Sequence, residues 1–328
     1  MSPKRSKSDT GSARFGGLAP RGGQHGGSRF DDPGGDEPQG PPPRVEAVVM
    51  LAGQVRPTPL RRATGRGSLE LPLAAGHTVL DHWCEQLDAY AGLHGGATPL
   101  SVRVMLDHDA DFERNPRFPA GIRLGLERDP SRLRGTGGLL SDVARGYDDD
   151  AVLLVVHASQ LPIRPLASTL CGPVCREADV TLLCTRDGQP SGVMLVRCSA
   201  LRGLKPVGFI DLNEQALPRI AASADVRVCR TARPTTMSLR TTSGYLEALR
   251  AYHGARSGSL GAPGPFAESW RPSFQVIESG ASVAPGAVIH DSAVLSGARV
   301  DAGAVVVRSV VCPGTFVAPG RHVIDTIV

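Results

Sequence analysis

Val45-Glu46-Ala47-Val48-Val49-Met50-Leu51, followed at once by Ala52-Gly53-Gln54-Val55-Arg56, is the stretch on which the reading of this chain turns. The first seven residues form a short apolar run rich in β-branched side chains, the signature of a strand buried on both faces. The next five open with a glycine and end on an arginine. In an open α/β sheet, the turn leaving the carboxyl end of a strand is where a ligand binds. The expectation is therefore a nucleotide-type loop after the first strand.

Working outward, the same grammar repeats. Val79, Leu80, Trp83, Leu87 and Tyr90 fall at helical spacing within Thr78 to Ala91. Ser101 to Leu106 and Ile122 to Leu126 read as strands, and Gly138 to Arg145 as a helix. Ala151-Val152-Leu153-Leu154-Val155-Val156 is apolar throughout, as a central parallel strand should be. Pro165 to Glu177 reads as one helix, Val180 to Cys184 and Val193 to Arg197 as strands, and Asn213 to Ala222 and Ser243 to His253 as helices. Strands alternating with helices predict a Rossmann-like α/β domain over 45–255, with a mostly parallel sheet wound by right-handed crossovers.

Two flanking segments differ in composition. Residues 1–44 are rich in Gly, Pro, Ser and Arg and are expected to be a disordered, solubilising tail. Residues 256–272 read as a Gly/Pro/Ser-rich linker. Beyond them, Ile277, Val283, Ile289, Leu295, Val300, Val306, Val311, Val317 and Val323 recur at six residues with two steps of five. Gly280, Gly286, Gly297, Gly303, Gly314 and Gly320 fall between them. That period fits neither an α-helix nor a plain strand. It fits a triangular coil of hexapeptide repeats over 273–328, a short left-handed parallel β-helix of roughly three turns.

Composition narrows the function. The 328 residues carry a formal net charge of +4, with Lys4, Lys7 and Lys205 as the only lysines. So modest a charge argues against a dedicated nucleic-acid binder. No apolar run reaches the roughly 18 residues of a membrane span, and the amino terminus lacks the apolar core of a secretory signal. Seven cysteines, an odd number set mostly in apolar runs, suit buried thiols in a cytoplasmic setting. Cys171 and Cys175 have no second Cys/His pair at zinc spacing, so no zinc site is expected there.

With these residues in view, the chain resembles the sugar-phosphate nucleotidylyltransferases, the nucleotide-sugar pyrophosphorylases. That family opens with a strand and L-A-G-G-x-G-T-R-L, of which Leu51, Ala52 and Gly53 are kept, and Arg56 matches the arginine if the loop is shortened. Leu71-Pro72-Leu73 and Val79-Leu80-Asp81-His82 are similar to the family's P-K-P-L-L-P and L-L-E-H, without the lysine. Arg134-Gly135-Thr136-Gly137-Gly138 resembles the G-T-A-x-A-L turn that contacts the base, a reading favoured by its place between two matching strands over the alternative of a Gly-rich helix start. Phe209 to Pro218 resembles F-x-x-E-K-D-x-L-P.

The resemblance implies a reaction of a nucleoside triphosphate with a sugar 1-phosphate to give a nucleotide sugar and pyrophosphate. It implies nucleotide contacts from Leu51, Ala52, Gly53, Arg56, Gly135, Thr136 and Gly137, with Arg56 the one candidate for a catalytic cation. It also implies a magnesium ion held by carboxylates at two places. In this chain the central strand ends Val155-Val156-His157, where the family has N-G-D, and Arg240 falls where the second aspartate belongs. His157 and Arg240 are thus candidates for phosphate or substrate contact, not for metal, with simple packing the equal alternative for His157. The hairpin ending in E-K-P has no counterpart. These departures lead to an expectation of weakened or lost catalysis, with a non-catalytic nucleotide or nucleotide-sugar binding, regulatory or assembly subunit as the alternative. A hexapeptide-repeat acyltransferase, using His290 or His322, is a further alternative. The coil is expected to join the chain to a second copy or a related subunit.

Overall fold

The structure, a computed structural model, describes residues 41–53, 57–95, 98–108, 112, 118–129, 134–171, 174–204, 208–256 and 273–328. Arg56, Lys205, most of the amino-terminal tail and all but the first residue of the linker lie outside the described residues.

In chain order the α/β part runs β1 (Ala47–Leu51), α1 (Pro59–Thr64), β2 (Pro72–Ala74), β3 (His77–Thr78), α2 (Val79–Gly92), β4 (Leu100–Leu106), β5 (Ile122–Arg128), α3 (Gly135–Ala144), β6 (Val152–His157) and β7 (Gln160–Pro162). It continues with α4 (Leu166–Thr169), α5 (Val174–Glu177), β8 (Val180–Thr185), β9 (Pro190–Arg197), α6 (Cys198–Arg202), a π-turn (Leu212–Ala216), α7 (Leu217–Ile220), β10 (Val226–Thr231), β11 (Thr236–Ser238) and α8 (Thr242–Arg256). Among the described residues these make a seven-stranded sheet in the order β10-β8-β9-β6-β1-β4-β5. β1 lies at its heart, parallel to both β4 and β6, and all five of its residues are buried.

The sheet is mostly parallel, as expected, and β9 is the exception, running antiparallel to both β6 and β8. A short turn at Asp187–Gly188, with Gly188 at φ +81°, folds β9 straight back onto β8, which leaves no length for a crossover. The helix expected over Pro165 to Glu177 is two short pieces, α4 and α5. The helix expected over Asn213 to Ala222 is a π-turn running into α7. α3 starts at Gly135 instead of Gly138, and α8 extends through Arg256. β10 was not foreseen. It pairs with β8 alone, and its Val228 is 49% exposed, so the apolar signal of a buried strand is missing.

Two cores flank the sheet. On one face α3, α6 and α7 cover Ala47, Val49, Leu153 and Val155. On the other α2 and α8 cover Val48, Met50, Leu154 and Val156. Trp83 and Tyr245 are fully buried in that second core.

The carboxyl-terminal part is β12 (Gln275–Ile277), β13 (Ser282–Val283), β14 (Val288–His290), β15 (Ser292–Val294), β16 (Arg299–Val300), β17 (Val305–Val307), β18 (Val310–Val311), β19 (Phe316–Val317) and β20 (His322–Ile324). They form three parallel three-stranded sheets, β12-β15-β18, β13-β16-β19 and β14-β17-β20. Each strand pairs with the one seventeen residues further on, so the chain coils with three faces to a turn. The inward column is Val283, Ile289, Val294, Val300, Val306, Val311, Val317 and Val323. Val294 thus takes the place expected for Leu295. The steps within one turn are six, six and five residues, and the short step turns at Asp291, Arg308 and Asp325, all at positive φ. A buried ladder supports that corner: Ser309 N donates to Ser292 Oγ at 3.0 Å and Thr326 N donates to Ser309 Oγ at 3.2 Å.

Leu295, displaced from the coil's interior, faces the α/β part. Together with Phe274, Val276, Ala293, Val310 and Cys312 it belongs to the same core as Tyr245, Leu249 and Tyr252 of α8. His253 stacks on Phe274 at 5.6 Å between ring centroids. Arg66 donates through Nη1 to both oxygens of Glu278 at 2.7 Å, and Arg250 reaches Asp291 at 3.0 Å. One face of the coil is therefore built into the α/β part.

Candidate functional site

The carboxyl ends of β1, β4 and β6 meet where the sequence placed the loop. Leu51 sits in register with His157 on one side and Met105 on the other. The chain then turns tightly across β4: the amides of Ala52 and Gly53 donate to Met105 O at 2.9 and 3.0 Å. Gly53 lies against Asp107, and a Cβ at that position would stand 2.9 Å from Asp107 Oδ1. Asp107 accepts from Arg61 Nη1 at 2.8 Å, which ties the end of β4 to α1. Helix α1 is capped by Thr58, whose hydroxyl accepts from Arg61 N. Asp107 was not foreseen; its signal was an acidic residue directly after an apolar run.

His157 ends β6, partly buried. Ala158 N donates to Leu51 O at 3.0 Å and fixes the exit of the strand. Gly192 of β9 adopts φ +70°, and a Cβ there would also meet Gln160 at 2.6 Å and the His157 Cβ at 3.3 Å, so both backbone and space call for glycine. Arg240 reaches the same place from far along the chain. β11 pairs antiparallel with β7, and Leu239 N donates to Ser159 O at 2.8 Å, leaving Arg240 exposed beside the end of β6. Burial first, and the Arg240 guanidinium second, hold the His157 imidazole below its ordinary pKa; Asp211 pulls the other way. At neutral pH the ring is a neutral donor and acceptor next to a fixed cation, a pair suited to an anionic oxygen.

Gly135, Thr136 and Gly137 open α3 against the segment that carries Asp211. Gly135 has φ +68°, and a Cβ on it would sit 2.4 Å from Ile210 O. Gly137 N donates to Ile210 O at 2.9 Å, and Thr136 Oγ accepts from Leu212 N at 3.2 Å. A Cβ on Gly137 would meet Ala216 and Ile210 within 3 Å. These glycines serve the close approach of the chain to itself. Asp211 in turn caps the π-turn, accepting from the amides of Asn213 and Glu214 at 2.8 Å.

The structure thus brings Leu51, Ala52, Gly53, His157 and Arg240 to one sheet edge and joins Gly135–Gly137 to it through Ile210 and Asp211. Arg56 lies outside the described residues. A magnesium ion asks for several oxygen ligands. The groups at this edge are an imidazole, a guanidinium, Asp107 paired with Arg61, and Asp211 engaged as a cap, so the donor set does not fit that ion. Among the described residues, the one group of three or more His, Cys, Asp and Glu side chains close enough to share a metal is elsewhere, at His77, His82 and Glu85.

A cavity of about 600 Å³ lined by Arg44, Tyr147, Asp148 and Asp150 lies at the opposite, amino-terminal edge of the sheet. Ligands of open α/β sheets bind at the carboxyl edge, which gives the His157 end precedence. His290 and His322 lie exposed on the coil's outer surface. No helix of the described residues is long and apolar enough to cross a membrane.

No family model and no curated protein matches the chain. Solved structures do. HddC from Yersinia pseudotuberculosis aligns over 63% of this chain and 100% of its own, at 14% identity and a TM-score of 0.49. The same protein complexed with GMP-PN aligns over 63% of this chain and 100% of its own, at 14% identity and a TM-score of 0.47. A Bacillus anthracis protein assigned as a glucose-1-phosphate thymidylyltransferase, in complex with a sucrose, aligns over 66% of this chain and 97% of its own, at 11% identity and a TM-score of 0.44.

Proposed function

We propose that the carboxyl edge of the sheet binds the phosphates of a nucleotide or nucleotide sugar, in a protein of the nucleotide-sugar pyrophosphorylase type whose magnesium-dependent transfer is weakened or lost. The observation that carries this is the His157–Arg240 pair at the end of β6. The Arg240 cation attracts a phosphate and repels a metal ion, and the imidazole beside it, kept neutral by burial and by that cation, can donate to an anionic oxygen. Gly53 and Ala52 supply the tight turn through which backbone could approach the ligand. Nucleotidyl transfer needs developing charge on the phosphates to be neutralised. Here Arg240, with Arg56, would supply binding without the metal's contribution.

Calorimetry with nucleoside triphosphates and nucleotide sugars, with and without magnesium, tests the reading. Binding should occur without magnesium, and Arg240→Ala should weaken it about tenfold or more, the worth of one charge-assisted contact. Absence of binding at millimolar ligand overturns it. Pyrophosphate release that depends on magnesium would restore the active-enzyme reading.

The carboxyl-terminal coil is proposed to be a left-handed parallel β-helix that joins two copies of the chain. Its β14-β17-β20 face turns Val288, Val305, Val307 and Ile324 outward, with Val288 52% and Ile324 49% exposed. An apolar sheet face of this kind gains from being covered. A monomeric mass at micromolar concentration, unchanged by Val288→Lys, would dispose of the assembly. The thiols suit a cytoplasmic setting, and no disulfide forms among the described residues.

A further inference from the structure

We infer that His77, His82 and Glu85 form a binding site for one divalent transition-metal ion of the zinc or cobalt class, distinct from the sheet edge and independent of the nucleotide reading.

The three side chains come together by local geometry. His82 and Glu85 are three residues apart on α2 and share a face of the helix. His77 closes the β2–β3 hairpin, where Ala74 faces His77, and the chain enters α2 directly after it. That entry is held rigid by a capping box: Thr78 Oγ accepts from Asp81 N, and Asp81 Oδ2 accepts from Thr78 N at 2.7 Å. The candidate donor atoms all lie within 4.8 Å of one another. Glu85 Oε2 stands 3.8 Å from His77 Nε2 and 3.7 Å from His82 Nδ1. Tetrahedral coordination with bonds of about 2.1 Å asks for ligand separations of about 3.4 Å, so the two Glu85 contacts close with a shift of a few tenths of an ångström, while the two imidazole nitrogens, within 4.8 Å of each other, draw together by up to about 1.4 Å.

Two observations point to a cation in particular. His77 Nε2 and His82 Nδ1 are buried atoms without a hydrogen-bond partner, and His82 as a whole is 8% exposed. Buried polar atoms normally find a partner. The second observation concerns the tautomer. His82 Nε2 lies 2.8 Å from Pro162 O, a contact in which the ring nitrogen must be the donor. The remaining Nδ1 of the neutral ring then presents a lone pair, and it presents it to a carboxylate. Two acceptors facing each other call for a cation between them, a proton or a metal ion, and His77 Nε2 lies beside them without a partner of its own. The bond to Pro162 O is the outer-shell support that metal-bound imidazoles carry, orienting the ring and raising its basicity.

The surroundings suit an ion that keeps an open position. Tyr252 stacks on His77 at 6.0 Å and meets His82 edge-on at 5.3 Å, walling the inner side. The Glu85 side chain is 49% exposed, so the outer side is open to water as a fourth ligand. Two imidazoles and one carboxylate favour zinc, cobalt or a similar ion over magnesium or calcium. Arg256 is the competing cation. Its Nη1 lies 3.9 Å from Glu85 Oε2, beyond hydrogen-bonding reach, and its side chain is 61% exposed, so it can yield the carboxylate. Tyr252 and His253 are neighbours on α8, and His253 stacks on the coil through Phe274. An ion here would tie the β2–β3 hairpin to α2, beside the helix that holds the coil.

Titration of the full chain with cobalt(II), read in the visible spectrum, followed by displacement with zinc(II), tests the site. One equivalent of cobalt should bind with nitrogen and oxygen ligation and without the intense charge-transfer band of thiolate. Glu85→Gln, at a half-exposed position, and His77→Gln should each weaken binding about tenfold or more. His290→Gln, on the coil's outer surface, should leave it unchanged. Zinc should raise the unfolding midpoint of the parent chain, and much less that of Glu85→Gln. Absence of binding at tens of micromolar metal, a thiolate spectrum, or equal affinity in parent and Glu85→Gln chains would each overturn the proposal.

Discussion

The α/β part and the coil both spend many glycines, and they spend them differently. In the coil, Gly286 turns a corner at φ +84° with no atom within 4 Å of the place a Cβ would occupy. Its role is the left-handed backbone alone. In the α/β part, Gly135 combines φ +68° with an approach that would drive a Cβ to 2.4 Å from Ile210 O. Gly244 is crowded in the same way by Ser238 O, also at 2.4 Å. The repeat thus uses glycine to bend at regular intervals, at Gly286, Gly314 and Gly320 where nothing else is within 4 Å, and only Gly280 is crowded, by Ser296 Oγ. The sheet edge uses glycine to let distant segments touch, which is what assembles a site.

The sharpest way to break that contrast is to disturb the coil's column and watch the α/β part. Val306 is fully buried in the coil, so Val306→Asp places an unpaired charge in an apolar interior and should cost about 4 kcal/mol. Because coil and α/β part share a core, the loss should appear in denaturant unfolding followed by the buried Trp83, in a Trp270→Phe background. A Trp83 transition that stays put while the coil melts would mean two independent units.

Gly135→Ala is next. It adds a disfavoured backbone conformation to a clash with a neighbouring carbonyl, and should cost about 3 kcal/mol in urea unfolding. Gly286→Ala carries only the backbone penalty and should cost about 1 kcal/mol. Equal costs at the two positions would erase the distinction drawn between them.

The ion pair that crosses between the parts should matter less. Arg66 and Glu278 are about one-fifth exposed, and a double-mutant cycle to alanine should give a coupling of about 0.5–1 kcal/mol.

The smallest expected effect is a pH slope. The folded chain holds His157 below its ordinary value, so the unfolded chain takes up the proton first. Stability from this ring is therefore present above about pH 6.5 and falls away as the pH drops through its lowered folded value. His157→Gln should flatten the acid limb of a stability profile. His82 and His253, both also lowered by burial, carry the remainder. A phosphate bound at His157 should favour its protonated form, so affinity should rise on mild acidification, read by calorimetry.

Much of the fold was legible because it is written locally. The apolar runs at Val45–Leu51 and Ala151–Val156 needed no partner to declare themselves, and the glycines of the coil stood out by their spacing. The antiparallel β9 was less legible, since a strand's direction is set by what its neighbours leave open. Leu295 was misread for a similar reason: Val294 and Leu295 are both aliphatic and adjacent, and only the five-residue step at Asp291 decides which points inward. The candidate site was legible in part. Leu51 to Gly53 and His157 follow apolar strands directly, but Asp107 gave no signal beyond its position, and the Arg61 that holds it lies 46 residues away.

The sequence alone therefore determined the apolar strands at the heart of the sheet and the period of the coil, because period and apolarity act over a few neighbouring residues. Tertiary structure alone decided which distant polar groups would meet and which nearby ones would be enclosed. Arg240 comes to His157 through the pairing of β11 with β7, and His77, His82 and Glu85, neighbours by local spacing, are walled in by a tyrosine 175 residues beyond the first of them. Enclosure and long-range meetings depend on partners far along the chain, and no local pattern encodes them.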